Sequence, residues 1–142
     1  MILLDTNVIS EALKPAPASQ VVNWLNTNFA DAAISSVTIF ELRAGLVLLD
    51  PGRRKDLLQN AVTRTVRRFG ARVYAFDAAA AHSAAQLLSQ ARAQGLPLHQ
   101  IPNKLADLQI AGIAAAYGLD LATPNARDFG GLGLTLIDPW TT

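Results

Sequence analysis

Cysteine is missing from this 142-residue chain, and only two histidines are present. A disulfide framework, a thiolate zinc site, an iron–sulfur cluster and a cysteine nucleophile are therefore excluded, and a histidine-rich metal site with them. Charge is scarce as well. Charged residues make up 16%, and 12 Lys and Arg against 11 Asp and Glu leave a formal net charge of +1. With no global excess of either sign, any charge-based function must come from local clusters. No basic leader stands before the first acid, and no apolar run reaches membrane-spanning length. The expectation is a cytoplasmic chain with no signal peptide and no membrane partner. Repeats are absent apart from short alanine runs at 78–81 and 114–116. What the chain does have is apolar residues, 51% of the total. At this length they suffice for one domain, 1–142, with a real core.

Short apolar runs alternate with helical patterns. Ile2-Leu3-Leu4 ends in Asp5-Thr6-Asn7, as a buried strand does when its first polar residue emerges at its C-terminal end. Further strands are expected at 32–35, 73–76, 119–123 and 134–137. Helices are expected from Ser19 as a cap, over 37–49 with Ile39, Leu42 and Leu46 in step, over 53–69, over 78–94 and over 104–117. The helix at 53–69 carries an apolar stripe through Leu57, Leu58, Ala61, Val62, Val66 and Phe69. Gly70, Gly95 and Gly118 are natural stops. This order predicts an α/β fold, a parallel doubly wound sheet of about five strands flanked by helices. In such folds ligands sit beyond the C-terminal ends of the strands.

Four acids fall at suggestive places. Asp5 ends the first strand, Glu41 lies a turn into the helix after the second, Asp107 opens the helix at 104–117, and Asp128 follows the fourth strand. Each also has an ordinary reading. Asp5 can start an Asx turn, Thr38-Ile-Phe-Glu41 fits a capping box, Asp107 suits a helix dipole, and Asp128 and Asn125 suit a loop. Taken together they say more. Carboxylates gathered at one sheet edge repel one another, and their pKa values rise unless a cation is present. Oxygen-only ligands point to a hard cation, Mg²⁺ or alternatively Mn²⁺. The matching chemistry is metal-assisted phosphodiester hydrolysis.

In these blocks the chain resembles the PIN-domain ribonucleases, specifically the VapC-type toxins of bacterial toxin–antitoxin pairs. The likeness runs through residues 2–10, from Ile2 to Ser10, then Glu41-Leu-Arg-Ala-Gly45, residues 106–114, residues 121–129 and the final Asp138-Pro-Trp140. It implies a PIN-like fold and an Mg²⁺-dependent endoribonuclease acting on RNA. Asp5, Glu41 and Asp107 fall on the family's main acids and metal ligands. Thr6 and Asn7 match polar residues supporting the first acid, and Thr123 matches a hydroxyl residue near the site. Asn125 stands where many members carry an acid and Pro124 where an Arg is common, so Asp128 is the candidate for the missing charge. The likeness further implies a homodimer silenced by a cognate VapB-like antitoxin. That partner would bring the DNA-binding domain, since nothing in this chain looks like a helix-turn-helix.

Other features have two readings each. Arg64, Arg67 and Arg68 are candidate RNA-binding residues or a solvated helix face. His82 and His99 are isolated and read as structural or exposed, and Trp24 and Trp140 read as packing residues. Gly130, Gly131 and Gly133 read as a flexible turn. Two competing functions remain: a phosphatase using Asp5 as nucleophile, for which Asn7 is not the usual second acid, and a binding module with a weak or lapsed site.

Overall fold

Strands Ile2–Leu4 (β1), Ala32–Ser35 (β2), Val73–Tyr74 (β3), Asp120–Ala122 (β4) and Leu136–Ile137 (β5) form one parallel sheet in the order β3-β2-β1-β4-β5. The structure is a computed structural model that describes residues 1–97, 100 and 104–142; His99 lies outside the described residues. The helices are Thr6–Ala12 (α1), Ser19–Asn28 (α2), Ser36–Val47 (α3), Arg53–Phe69 (α4), Ala78–Gln94 (α5) and Leu105–Tyr117 (α6), with 3-10 turns at Phe29–Asp31 and Ala126–Asp128. The expected α/β order is therefore present. Gly95 and Gly118 end α5 and α6 in the left-handed region, with φ of 68° and 64°.

The sheet is covered on both faces because alternate strand residues point opposite ways. Leu3 packs with α5 and α6, in a core that includes Leu87, Leu108, Ile113 and Phe129. Its neighbours Ile2 and Leu4 pack the other way, with Val8, Val21, Trp24 and Phe69. Trp24 and Trp140 both join this second core, as packing residues. His82 is exposed on α5.

Three features depart from the sequence reading. Helix α1 begins directly after β1, where only a polar turn was expected, because Asp5 caps it. Strand β3 stops at Tyr74 rather than 76, because the Phe76 N–H donates to the Ser36 hydroxyl, 3.1 Å away, instead of to β2. The α4 stripe is only partly buried. Val62 and Phe69 are covered, whereas Leu57 is 55% exposed. The N-terminal half of α4 instead lines an open groove shared with α1 and α3.

Candidate functional site

From β1 the chain order runs outward in both directions across the sheet, to β2 and β3 on one side and to β4 and β5 on the other. The crevice between β1 and β4 is thus the topological switch point, the place where open α/β sheets bind ligands. Asp5 leaves β1 there and Thr123 leaves β4 there. The Asp5 N–H donates to the Ala122 carbonyl at 2.9 Å, so strand pairing itself fixes the residue.

Asp5 is only 3% exposed. Its Oδ1 accepts the Asn7 backbone N–H at 3.2 Å, which caps α1. Its Oδ2 accepts the buried Thr123 hydroxyl at 2.7 Å. The Thr123 oxygen in turn accepts the Asn125 N–H at 3.1 Å. One oxygen therefore does the ordinary work of a helix cap, while the other is held by Thr123. Supporting roles are divided differently from the expectation. Asn7 supports Asp5 through its backbone rather than its side chain, and Thr6 turns to Glu41 instead.

Glu41 is half-buried on α3, and its Oε1 accepts the Thr6 hydroxyl at 2.6 Å. The capping-box reading of Thr38 and Glu41 does not hold. The cap of α3 is Ser35, whose Oγ accepts the Thr38 N–H at 3.0 Å, so Glu41 lies in the second turn with its carboxylate committed to no backbone donor. Two residues that the sequence reading did not assign to the site, Ser35 and the hydroxyl of Thr38, are fully buried beside it.

Asp107 sits in the first turn of α6 and is half-buried. Burial raises its pKa from 3.8 to about 6, and the charges of Asp5, Glu41 and Asp128 push the same way while Lys104 opposes them. The four acids thus share one electrostatic neighbourhood, although they come from four separate stretches of chain. Asp128 is the exception in one respect, because its Oδ2 pairs with the Lys104 Nζ at 3.3 Å. Lys104 had no place in the sequence reading. A signal existed: a lysine just before a helix start opposes the helix dipole, so its presence there calls for a nearby anion.

Among the described residues, no three His, Cys, Asp or Glu side chains gather closely enough to hold one ion together. The donors still suit a hard cation. They are all oxygens, and Mg²⁺ commonly takes one or two carboxylates and completes its shell with water and phosphate. Asp5 and Asp107 are the pair most strongly coupled by charge among the acids acting on Asp107.

Arg127 is exposed beside Asp128 in the Ala126–Asp128 turn, whereas Arg43, Arg64, Arg67 and Arg68 lie on α3 and α4. Arg43 donates to the Thr63 hydroxyl at 3.2 Å and ties α3 to α4. Arg68 stacks over the Phe29 ring, 4.4 Å from its centroid, just before β2 begins. Arg64 and Arg67 are exposed on the same closing turns of α4, at the end of the sheet where strands start. The acids stand at the other end, where strands finish. The groove between α1, α3 and α4, about 740 Å³, reaches Glu41 instead; Lys14, Arg53 and Arg54 stand on its walls.

A parallel sheet with acids at its switch point defines a class of hydrolytic and phosphate-handling folds, and the relatives narrow it. The family model described as PIN domain matches residues 2–130. The chain belongs to the PIN domain family and to its VapC-type members. It is 39% identical to the plasmid stability protein StbB of Pseudomonas syringae pv. tomato, over 99% of this chain and 99% of that one. It is 37% identical to the VapC ribonuclease Y4jK of Sinorhizobium fredii, over 99% of this chain and 98% of that one. The crystal structure of FitAcB from Neisseria gonorrhoeae superposes with a TM-score of 0.88 at 36% identity, covering 100% of both chains.

Proposed function

We propose that the whole chain, 1–142, acts as one PIN domain and is a divalent-cation-dependent endoribonuclease, the toxin of a toxin–antitoxin pair. The observation that carries this reading is the half-buried Asp107, raised to about 6 chiefly by burial and then by the charge of the buried Asp5. Carboxylates that repel one another where water is partly excluded are costly without a cation. Asp5 and Asp107 would hold Mg²⁺, or Mn²⁺ in its place, and Glu41 lies beside them. When bound, the ion lowers the pKa of water and stabilises charge on the phosphate. Thr123 holds the Asp5 carboxylate in place, and burial keeps bulk water from screening Asp5. Asn125 offers an amide where a carboxylate would add charge, which favours a single resident ion. Arg53 and Arg54, on the groove that reaches Glu41, replace Arg64, Arg67 and Arg68 as contacts for RNA phosphates.

The same groove suits the antitoxin. Leu46, Leu49, Leu57 and Leu58 give it apolar walls, and Glu41 stands on its lining. An antitoxin segment with apolar side chains and a terminal cation would fill it and neutralise the acids. DNA would be reached only through that partner. The exposed residues Phe40 and Val47 on α3, followed by Leu48, offer a surface for a homodimer. Among the described residues no helix is long and apolar enough to cross a membrane, in keeping with a cytoplasmic site of action.

Incubating the purified protein with a pool of cellular RNA tests the reading. Cleavage with Mg²⁺ that stops in EDTA and returns on adding Mg²⁺ is expected. Cleavage indifferent to EDTA would contradict the metal role, and none under any condition would leave the binding-module reading in its place.

A further inference from the structure

Three hydroxyls form a directed chain that ends on Glu41. Thr6 Oγ1 donates to Glu41 Oε1 at 2.6 Å. A hydroxyl has one proton to give. In the 2.9 Å contact between Thr6 Oγ1 and Thr38 Oγ1, Thr38 must therefore be the donor. Ser35 Oγ completes the line by donating to Thr38 Oγ1 at 3.3 Å. Every proton points towards the carboxylate. The chain joins the end of β2, the first turn of α3 and the first residue of α1.

Capping does not account for it. Ser35 caps α3 through the Thr38 backbone N–H, a bond that needs no hydroxyl at position 38. Ser35 and Thr38 are both fully buried, where a valine at position 38 would fill the same space without a polar group to satisfy.

We infer that Ser35, Thr38 and Thr6 are positioning residues that lock Glu41 in one rotamer, with Oε1 held and the rest of the carboxylate presented to the acids of the crevice. The inference rests on the proposed nuclease site for its purpose but not for its geometry. Thr38→Val removes the relay's central hydroxyl, and Thr38→Ser keeps it. Two readouts apply: three-bond scalar couplings reporting the χ1 angle of Glu41 in labelled protein, and RNA cleavage split into kcat and KM. Wild type is expected to show one Glu41 rotamer and Thr38→Val an average of several. Its kcat should fall about 10–100-fold, the usual scale for losing an outer-shell partner, with KM little changed. Thr38→Ser should restore both. If Thr38→Val fails to fold, Thr6→Val, at a half-buried position, carries the same test. A single Glu41 rotamer in the valine variant, or a serine variant as impaired as the valine one, overturns the inference. If wild type cleaves no RNA, the nuclease reading falls, and the rotamer measurement alone decides this one.

Discussion

Asp107 shows how a single carboxyl can weaken a fold and serve a site. In the unfolded chain it ionises near 3.8, whereas in the fold it keeps its proton to about 6. Between those values the native state binds more protons than the unfolded state, so this group's contribution to stability falls as pH rises and levels off above 6. Thermal melts in EDTA of wild type and Asp107→Asn check this by difference. The variant should gain on wild type between pH 4 and 6 and hold its advantage at pH 7, and added Mg²⁺ should close the gap from the wild-type side. A constant difference across pH would mean that Asp107 is not perturbed. Asp5, Asp107 and Asp128 stood out in the sequence because each follows a strand or opens a helix, and Glu41 through its motif block. Thr6 and Thr123 stood out only through the family likeness, and which acid each one holds did not. The Thr123 bond to Asp5 spans 118 positions and the Thr6 bond to Glu41 spans 35, distances over which periodicity says nothing. Lys104 was equally hidden, since its partner Asp128 lies on another element.

At the scale of elements, the strands and the long helices followed from apolar runs and glycine stops, and they fell close to their expected places. The failures came where tertiary contacts outrank local pattern. Helix α1 has a weak sequence signal and is set by the Asp5 cap. The α4 stripe predicted burial, yet among the described residues its first turns are left open, and a groove results. Arg64, Arg67 and Arg68 were attractive as a cluster, but the antiparallel run of α4 carries them away from the acids. The tightest packing is between α5 and α6. A Cβ on Gly112 would stand 2.6 Å from Ala84 Cβ and 2.7 Å from the Ala80 carbonyl oxygen. Neither neighbour is the tip of a flexible chain, so Gly112→Ala should cost about 1–3 kcal/mol, the usual range for overpacking. Denaturant unfolding measures it, and an unchanged midpoint would show that the two helices can part without penalty.

The described residues present the crevice that carries the candidate acids and two apolar surfaces open to solvent, the groove beside α4 and the outer face of α3. Phe40 is 71% exposed and Val47 74%. They are seven residues apart on one helix, hence on one face. If this face pairs two copies, sedimentation equilibrium should give a dimer for wild type and a monomer for Phe40→Asp, with the fold preserved in both. A wild-type monomer, or a variant as dimeric as wild type, would place the interface elsewhere or remove it. The overall α/β order was readable from the chain because the sheet is buried on both faces, which makes its strands uniformly apolar. Which surfaces stay open was not, because exposure is decided by what the other elements leave uncovered.

Asp5 and Asp107 together are proposed to bind a divalent cation at the switch point of the sheet. Titrating Mn²⁺ into metal-free protein, followed by calorimetry at pH 7, tests this most directly. A single site is expected in wild type, weakened at least tenfold by Asp107→Asn, as loss of one of two carboxylate ligands requires. Equal affinity in wild type and variant, in protein that remains folded, would contradict it.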